Sequence, residues 1–431
     1  MRMHYKGRHG SRWFALSHPV VLGPYYELSV NSSEFRDDLL PLCACWRVHV
    51  MTVGSAVFDA QQEKNLCAPH FGFVMEQTLG HVTHYRNMRN SIDADQSINA
   101  AWYPLSFEPD GKLENFPLLR SNWSLRSSRR AWRALSRDRA GERYDALFFH
   151  TQITTLLSAR LMRRVPSVVS LDATPMNYDA VGTAYGHRQA GGVAERLKRD
   201  LTVRSLHAAR ALVAFSDWVR RSLLDDYGVP EERIHVIPPG VDLTRWPAPT
   251  GRLKNGAHGS EPFRLLFVGG DFERKGGPLL LEVFRRFLRD TCTLHLVTKS
   301  DLSEEKGVRV YRGFGPNEPG LQALYERCDA LVLPTQADTF SHVALEAMAS
   351  GLPVVTCPVG GIPEIVQPGE TGFLVPPNDA GALLRAIRVL LNDRERSVSM
   401  GLRGRALVEQ RFDSATNVRA IVKIMTALAV G

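Results

Sequence analysis

Asp338-Thr-Phe-Ser-His-Val-Ala-Leu-Glu-Ala-Met-Ala-Ser-Gly351 is the stretch from which the fold is read. Just upstream, Ala330–Leu333 is an apolar run of strand type, and a loop then carries Asp338. From about Ser341 to Ala349 the pattern predicts a helix. Ser341 suits an N-cap, Gly351 suits the position after the helix end, and Val343, Ala347 and Met348 supply an apolar face. The free backbone N–H groups and positive dipole end at Ser341, His342 and Val343 suit a pyrophosphate. Glu346 lies five residues past Ser341, about 7–8 Å along the axis, which is roughly a phosphate-to-ribose distance. Asp338 falls on the other side of the phosphate position, where a donor sugar would lie. An ordinary amphipathic helix with a solvated glutamate fits the same residues.

Working outward, similar strand–loop–helix arrangements flank this one. Phe267-Val-Gly-Gly-Asp-Phe-Glu-Arg-Lys-Gly-Gly277 follows the strand-like run Arg264–Val268 and precedes a Leu-rich helix. Gly269 and Gly270 let a backbone approach a ligand, and Arg274 and Lys275 offer cations to a departing diphosphate. A glycine turn with solvated charges is the plainer reading. Pro358-Val-Gly-Gly-Ile-Pro-Glu-Ile-Val366 follows the run Pro353–Thr356 and continues into Gly369–Pro377. There Gly360 and Gly361 either admit a ligand or form a simple turn.

The alternation extends upstream. Phe71–Met75, Tyr144–Phe149, Val165–Leu171 and Ala211–Phe215 read as strands, with helical patterns at Gly192–Ala209 and Ser216–Tyr227. Thr293–Val297 adds a strand downstream. Strands alternating with helices imply parallel sheets. The expected fold is α/β, with two Rossmann-like lobes facing a cleft. The expected organisation is an N-terminal appendage at 1–68, an N-lobe at 69–246, a Pro/Gly/Ser-rich linker at 247–262, a C-lobe at 263–411 and a C-terminal helix at 412–431 that packs back on the N-lobe. In open parallel sheets ligands bind beyond the carboxyl ends of the strands. That rule draws attention to Gly80 and His81 after the first strand, and to His150 after the second, which also fits a satisfied histidine at a strand end.

Bulk composition narrows the class. The 431 residues carry 44% hydrophobic and 23% charged side chains, as soluble globular proteins do. No apolar run reaches the ~18 residues needed to span a bilayer. The basic N-terminus is followed by a short stretch broken at His18-Pro19, so no secretory signal is read and a cytoplasmic setting is expected. The six cysteines form no C-x-x-C pair, and Cys43 and Cys45 lack a zinc-type cluster. Asp93-Ala-Asp95 matches a D-x-D metal tripeptide, a common sequence. The net charge of +8 favours an acidic partner. Residues 120–139 hold seven arginines and one acid around Trp123, Leu125, Trp132 and Leu135. A basic amphipathic helix of this kind suits peripheral contact with an anionic membrane at its inner face, and equally a solvated basic face. No nucleic-acid-binding module is recognised.

Together these segments resemble the family-4 retaining glycosyltransferases of GT-B architecture, most densely over residues 203–412. The family's E-x7-E pattern appears as Asp338 and Glu346, with Asp in first place. The resemblance implies that Glu346 binds the donor ribose and that Asp338 contacts the transferred sugar. It implies that Lys275 neutralises the leaving diphosphate, and that His150 lies near the donor sugar. Members usually carry Arg where this chain has Gly270, and Arg274 is the neighbour from which that charge could come. Paired glycines after the first strand, which meet donor phosphate and acceptor, are reduced here to Leu79-Gly80-His81, with His81 on the acceptor side. Leu212–Ser216 and Ile237–Asp242 resemble the close of the N-lobe and the interlobe segment. The implied activity is transfer of a sugar from a nucleotide-diphosphate sugar to a hydroxyl of a glycan, lipid or small molecule, with retention. The leaving phosphate would take the acceptor proton, and no metal or other cofactor would be essential. A nucleotide-sugar epimerase, a sugar-phosphate synthase or a non-catalytic nucleotide-sugar binder fits the same architecture.

Overall fold

Ala146–His150 (β5), Ser167–Leu171 (β6) and Ala211–Ala214 (β7) are buried at every position. Strands covered on both faces must be, and this is why they read as continuous apolar runs rather than alternating ones. The computed structural model describes residues 2–7, 10–15, 68–78, 80–106, 108, 122–138, 144–182, 193–246, 248, 261–315 and 317–430. The chain divides into two units, Met1–Ala68 and Pro69–Gly431. In the first, β1 (Arg2–Gly7) and β2 (Gly10–Ala15) pair as an antiparallel hairpin. The rest of the expected appendage, most of the expected linker at 247–262, Leu79, Cys43 and Cys45 lie outside the described residues.

The second unit contains two six-stranded parallel sheets. The N-lobe sheet adds β3 (His70–Gln77), β4 (Asn99–Ser106) and β8 (Ile234–Val236), in the order β4-β3-β5-β6-β7-β8. The C-lobe sheet comprises β9 (Phe263–Val268), β10 (Cys292–Val297), β11 (Val308–Tyr311), β12 (Ala330–Leu333), β13 (Val354–Thr356) and β14 (Gly372–Leu374), in the order β11-β10-β9-β12-β13-β14. Each order reverses direction once. The switch points fall between β3 and β5 in the N-lobe and between β9 and β12 in the C-lobe. Crossovers leave a crevice at such points, at the carboxyl ends of the strands.

Helices cover both sheets. In the N-lobe α1 (His81–Asp93) follows β3, α2 (Trp123–Asp138) precedes β5, and α3 (Ala159–Met162), α4 (Pro175–Val181), α5 (Val193–Ala208) and α6 (Asp217–Asp225) link the later strands. The C-lobe carries α7 (Gly277–Val283), α8 (Pro319–Arg327), α9 (His342–Ala349), α10 (Ala380–Asn392) and α11 (Arg394–Arg411). The final helix, α12 (Ser414–Val430), buries Val418, Ile421 and Met425 in one core with Phe71, Phe73 and Phe148 of the N-lobe. A buried side chain of this size contributes roughly 1.5–3 kcal/mol, so α12 ties the C-lobe's chain end to the N-lobe. The interlobe segment reinforces it, with Val241 N donating to Phe412 O at 2.8 Å.

Candidate active site

The C-lobe side is built around the switch point between β9 and β12. Lys275 follows β9 and Asp338 follows β12, and their side chains meet as an ion pair, Lys275 Nζ to Asp338 Oδ2. The Asp338 loop is held in place from two sides. Arg274 Nη1 donates to the Ala337 carbonyl at 2.7 Å while its Nε bonds Asp271 at 3.1 Å. On the other side Gly360, at φ +56°, lies where a Cβ would stand 2.1 Å from the Asp338 carbonyl. Only glycine gives both that conformation and that approach. Of the two readings of this segment, Gly360 supports the turn: it admits the Asp338–Thr339 backbone, and Gly361 N is bonded to Thr339 O at 2.8 Å.

Ser341 caps α9 through its Oγ, which accepts from Ala344 N at 3.3 Å, and Gly351 follows the helix end at φ +70°. His342 and Val343 form the first turn and are half-buried. Glu346 lies deeper than a solvated or open-cleft carboxylate. It is 5% exposed, accepts from Tyr325 Oη at 2.9 Å on Oε2, and burial pushes its pKa up to about 7. The reason is packing: α9 sits against the C-lobe sheet with Ala344, Leu345, Ala347 and Met348 fully buried, so its polar face also meets protein.

The N-lobe side faces its own switch point. Register pairs Met75 of β3 with His150 of β5, which sets Glu76 beside Thr151. Thr151 Oγ1 donates to Glu76 Oε2 at 2.8 Å, Trp123 Nε1 of α2 donates to Oε1 at 3.0 Å, and Thr78 Oγ1 also donates. His81, the first residue of α1, lies between two carboxylates. Its Nδ1 is 3.3 Å from Glu76 Oε2 and its Nε2 is 3.2 Å from Asp172 Oδ2. Burial opposes its charge, but Asp172 and Glu76 outweigh burial and hold its pKa well above the ordinary histidine value. A helix N-terminus is unfavourable for a cation, so the carboxylates account for the imidazolium.

Three neutral imidazoles gather beside it. His150 is fully buried, bonds Ser170 Oγ through Nδ1 at 2.7 Å, and stands 4.6 Å from His81 and 4.7 Å from His84 between ring centroids. Burial, then the charge of His81, lowers His150 well below its ordinary pKa; burial, then His342 and His81, does the same for His84. His342 reaches across from the C-lobe, and burial followed by His81 lowers it to about 4. Nε2 of both His84 and His150 is buried without a hydrogen-bond partner among the described residues. Gly80 completes the seam, since a Cβ there would lie 3.6 Å from His342 Cδ2.

The lobes are joined by polar contacts at this edge. Thr339 Oγ1 donates to Asp172 Oδ2 at 2.8 Å. Glu364 accepts from Asp217 N and Trp218 N at 2.8 and 3.0 Å, placing a carboxylate at the N-terminus of α6, where the helix dipole favours it. Asn317 Nδ2 donates to Asn87 at 2.9 Å.

The structure thus brings Lys275, Asp338, His342, Gly80, His81 and His150 to one seam, with Gly269 packed on the Lys275 stem. Arg274 is engaged by Asp271 and Ala337 and orders the Asp338 loop. Gly270 faces a different lysine, Lys299. Sequence reading missed Glu76, Asp172, His84 and Thr339. Glu76 is the penultimate residue of β3 and Asp172 directly follows β6, so the strand-end rule reaches them, while His84 is one helical turn beyond His81. The Asp93 and Asp95 carboxylates are otherwise engaged: Asp93 accepts from Trp102 and pairs with Arg89, and Asp95 accepts from Ser97. The described cysteines, Cys292, Cys328 and Cys357, are buried thiols outside any disulfide among the described residues.

Comparison with known proteins agrees with this geometry. The family model Glycosyl transferases group 1 matches residues 262–393, and Glycosyltransferase Family 4 matches 101–245. A D-inositol 3-phosphate glycosyltransferase of Nocardia farcinica is 31% identical over 235 residues, covering 49% of this chain and 52% of that protein. A glycogen synthase of Mycobacterium tuberculosis is 29% identical over 258 residues, covering 57% of this chain and 61% of that protein. The chain thus spans about half the length of the curated relatives it matches. Among solved structures, sucrose-phosphate synthase from Thermosynechococcus elongatus superposes with TM-score 0.66 at 20% identity, over 84% of this chain and 99% of that one. Anabaena HepE in complex with UDP and glucose gives 0.58 at 18%, over 83% of this chain and 99% of that one. Two parallel sheets with facing switch points, and family matches over both lobes, make this chain a member of the family-4 glycosyltransferases of GT-B architecture.

Proposed function

We propose that this protein transfers a sugar from a nucleotide-diphosphate sugar to an acceptor hydroxyl of a glycan, lipid or small molecule, with retention at the anomeric carbon. The observation that carries the reading is the Lys275–Asp338 pair at the C-lobe switch point, beside the start of α9 and opposite His150. The donor ribose lies at Glu346, the phosphates at Lys275 and the start of α9, and the sugar between Asp338 and His150. As the bond from the anomeric carbon to the phosphate oxygen breaks, negative charge grows on the diphosphate. Lys275 and the helix dipole stabilise it. The acceptor oxygen bonds to the anomeric carbon, and its proton passes to the departing phosphate. HepE, which shares the fold, is solved with UDP and glucose, in keeping with such a donor.

With a lysine and a helix terminus placed to stabilise the leaving diphosphate, turnover is expected to survive EDTA. Loss on chelation with recovery on Mn²⁺ or Mg²⁺ would reinstate a metal, with Asp93 and Asp95 the first residues to examine. The α2 face supports peripheral contact with an anionic membrane, because Ala131 and Leu135 are buried while Trp132 is 49% exposed beside exposed Arg133 and Arg137. No helix among the described residues is long and apolar enough to cross a membrane. The deciding experiment is a thermal-shift panel of UDP-, GDP- and ADP-sugars, followed by turnover with and without acceptors. Stabilisation by one donor class and acceptor-dependent product support transfer. Binding without turnover would leave a non-catalytic binder, and no stabilisation by any donor would overturn the reading.

A further inference from the structure

The cations at this seam are largely committed to protein partners. Lys275 is paired with Asp338, Arg274 is bonded to Asp271 and the Ala337 carbonyl, and His81 lies between Glu76 and Asp172. A diphosphate carries at least two negative charges, and its charge grows further as it leaves. A site whose positive charges are already matched by carboxylates attracts such a ligand weakly.

Lys299 differs from the others. It stands two residues past the carboxyl end of β10, the neighbour of β9, and so on the same sheet edge as Lys275. It is exposed, and among the described residues it makes no ion pair or hydrogen bond. Its Cγ, Cδ and Cε lie 3.7–3.8 Å from where a Cβ on Gly270 would stand. Its stem therefore runs over Gly270, in the space a side chain at 270 would take. A lysine is a compact charge on a flexible stem, able to follow an anion into the crevice.

We propose that Lys299 binds the diphosphate of the donor, from the position that Gly270 leaves open beside Lys275. The assignment rests on the nucleotide-sugar reading above and deepens it: the second donor cation comes from the β10 edge, whereas Arg274 holds the Asp338 loop.

The test is calorimetric titration of the full chain with UDP, GDP and ADP, together with a thermal-shift series for the corresponding nucleosides. Lys299→Ala should weaken the best diphosphate about tenfold, the loss of one charge-assisted contact, and leave the nucleoside response unchanged. Because Lys299 is exposed, the variant's melting temperature should match the wild type. Lys299→Arg should retain affinity, and Gly270→Arg in the Lys299→Ala background should restore it to within about threefold. Undiminished diphosphate affinity in Lys299→Ala overturns the assignment, as does an equal loss for the nucleoside. Wild-type protein that binds none of the three diphosphates overturns the nucleotide-donor reading itself.

Discussion

The two faces of the cleft handle charge in different ways. On the C-lobe face, Lys275 and Asp338 form a single pair whose side chains are 12% and 8% exposed, at the mouth of a helix that ends in free N–H groups. On the N-lobe face, one imidazolium is enclosed by two buried carboxylates, which are themselves bonded by Thr151, Trp123, Thr78 and Thr339. The first arrangement matches its cation with one carboxylate, whose place on Lys275 an incoming phosphate can take. In the second, one imidazolium is shared by two carboxylates that also accept from Thr151, Trp123, Thr78 and Thr339, so losing any one member disturbs a whole buried network. Polar residues at a cleft thus divide into those placed to meet a ligand and those that hold the lobe ends in shape.

The largest effect that tests this division is expected at Lys275. A cation aimed at a leaving diphosphate should act mainly in the transition state, so Lys275→Ala should lower kcat more than it raises KM. A contribution of ~2–4 kcal/mol corresponds to a loss of roughly 30- to 1000-fold. A loss of only a few-fold would mean that the pair is structural, like its N-lobe counterpart.

Glu346 comes next. If its free carboxylate oxygen meets the ribose, Glu346→Ala should weaken donor binding by about 10- to 100-fold, the range for hydrogen bonds to a charged group. It should also lower stability by ~1–3 kcal/mol, because Tyr325 Oη loses its acceptor in the core. Reduced stability with unchanged donor affinity would leave Glu346 as a packing residue.

The smallest effects concern pH and should have opposite signs. His150 and His84 have depressed pKa values in the fold. Their stabilising contribution is complete above the ordinary value of ~6.5 and is lost as pH falls toward the folded values. Glu346 is raised from 4.5 to about 7. Its contribution is complete below its ordinary value and is lost as pH rises through 7. Relative to wild type, His150→Asn should therefore gain melting temperature as pH falls below ~6.5, and Glu346→Gln should gain it as pH rises toward 7. Each change should be about a few degrees. Parallel curves for both variants would show that these groups titrate alike in the folded and unfolded chains.

Much of this was legible before any coordinates. Asp338, Ser341, Glu346 and Gly351 lie in one segment, so local rules for caps and strand ends were enough to place them on a loop and a helix. Lys275 was readable for the same reason. The N-lobe face was legible only at His81 and His150, which follow strand-like runs; Glu76, His84 and Asp172 were not, because they are single residues spread over nearly a hundred positions and no local pattern joins them. For the adjacent loop residues Arg274 and Lys275, sequence gives no means of telling which turns toward Asp271 and Ala337 and which toward Asp338.

The sequence by itself determined that two parallel sheets would form, that cationic and acidic groups would follow their strands, and that a capped helix would begin next to Asp338. These outcomes rest on short-range preferences of side-chain period, capping and turn chemistry. Tertiary structure alone decided which charges stay free. Pairing of Met75 with His150 placed Glu76 beside Thr151, and docking of the lobes put Thr339 on Asp172 and His342 against Gly80. Burial of α9 turned Glu346 into a carboxyl with a pKa near 7. Charge state and pairing depend on distance and dielectric in three dimensions, and neither is written in the order of residues along the chain.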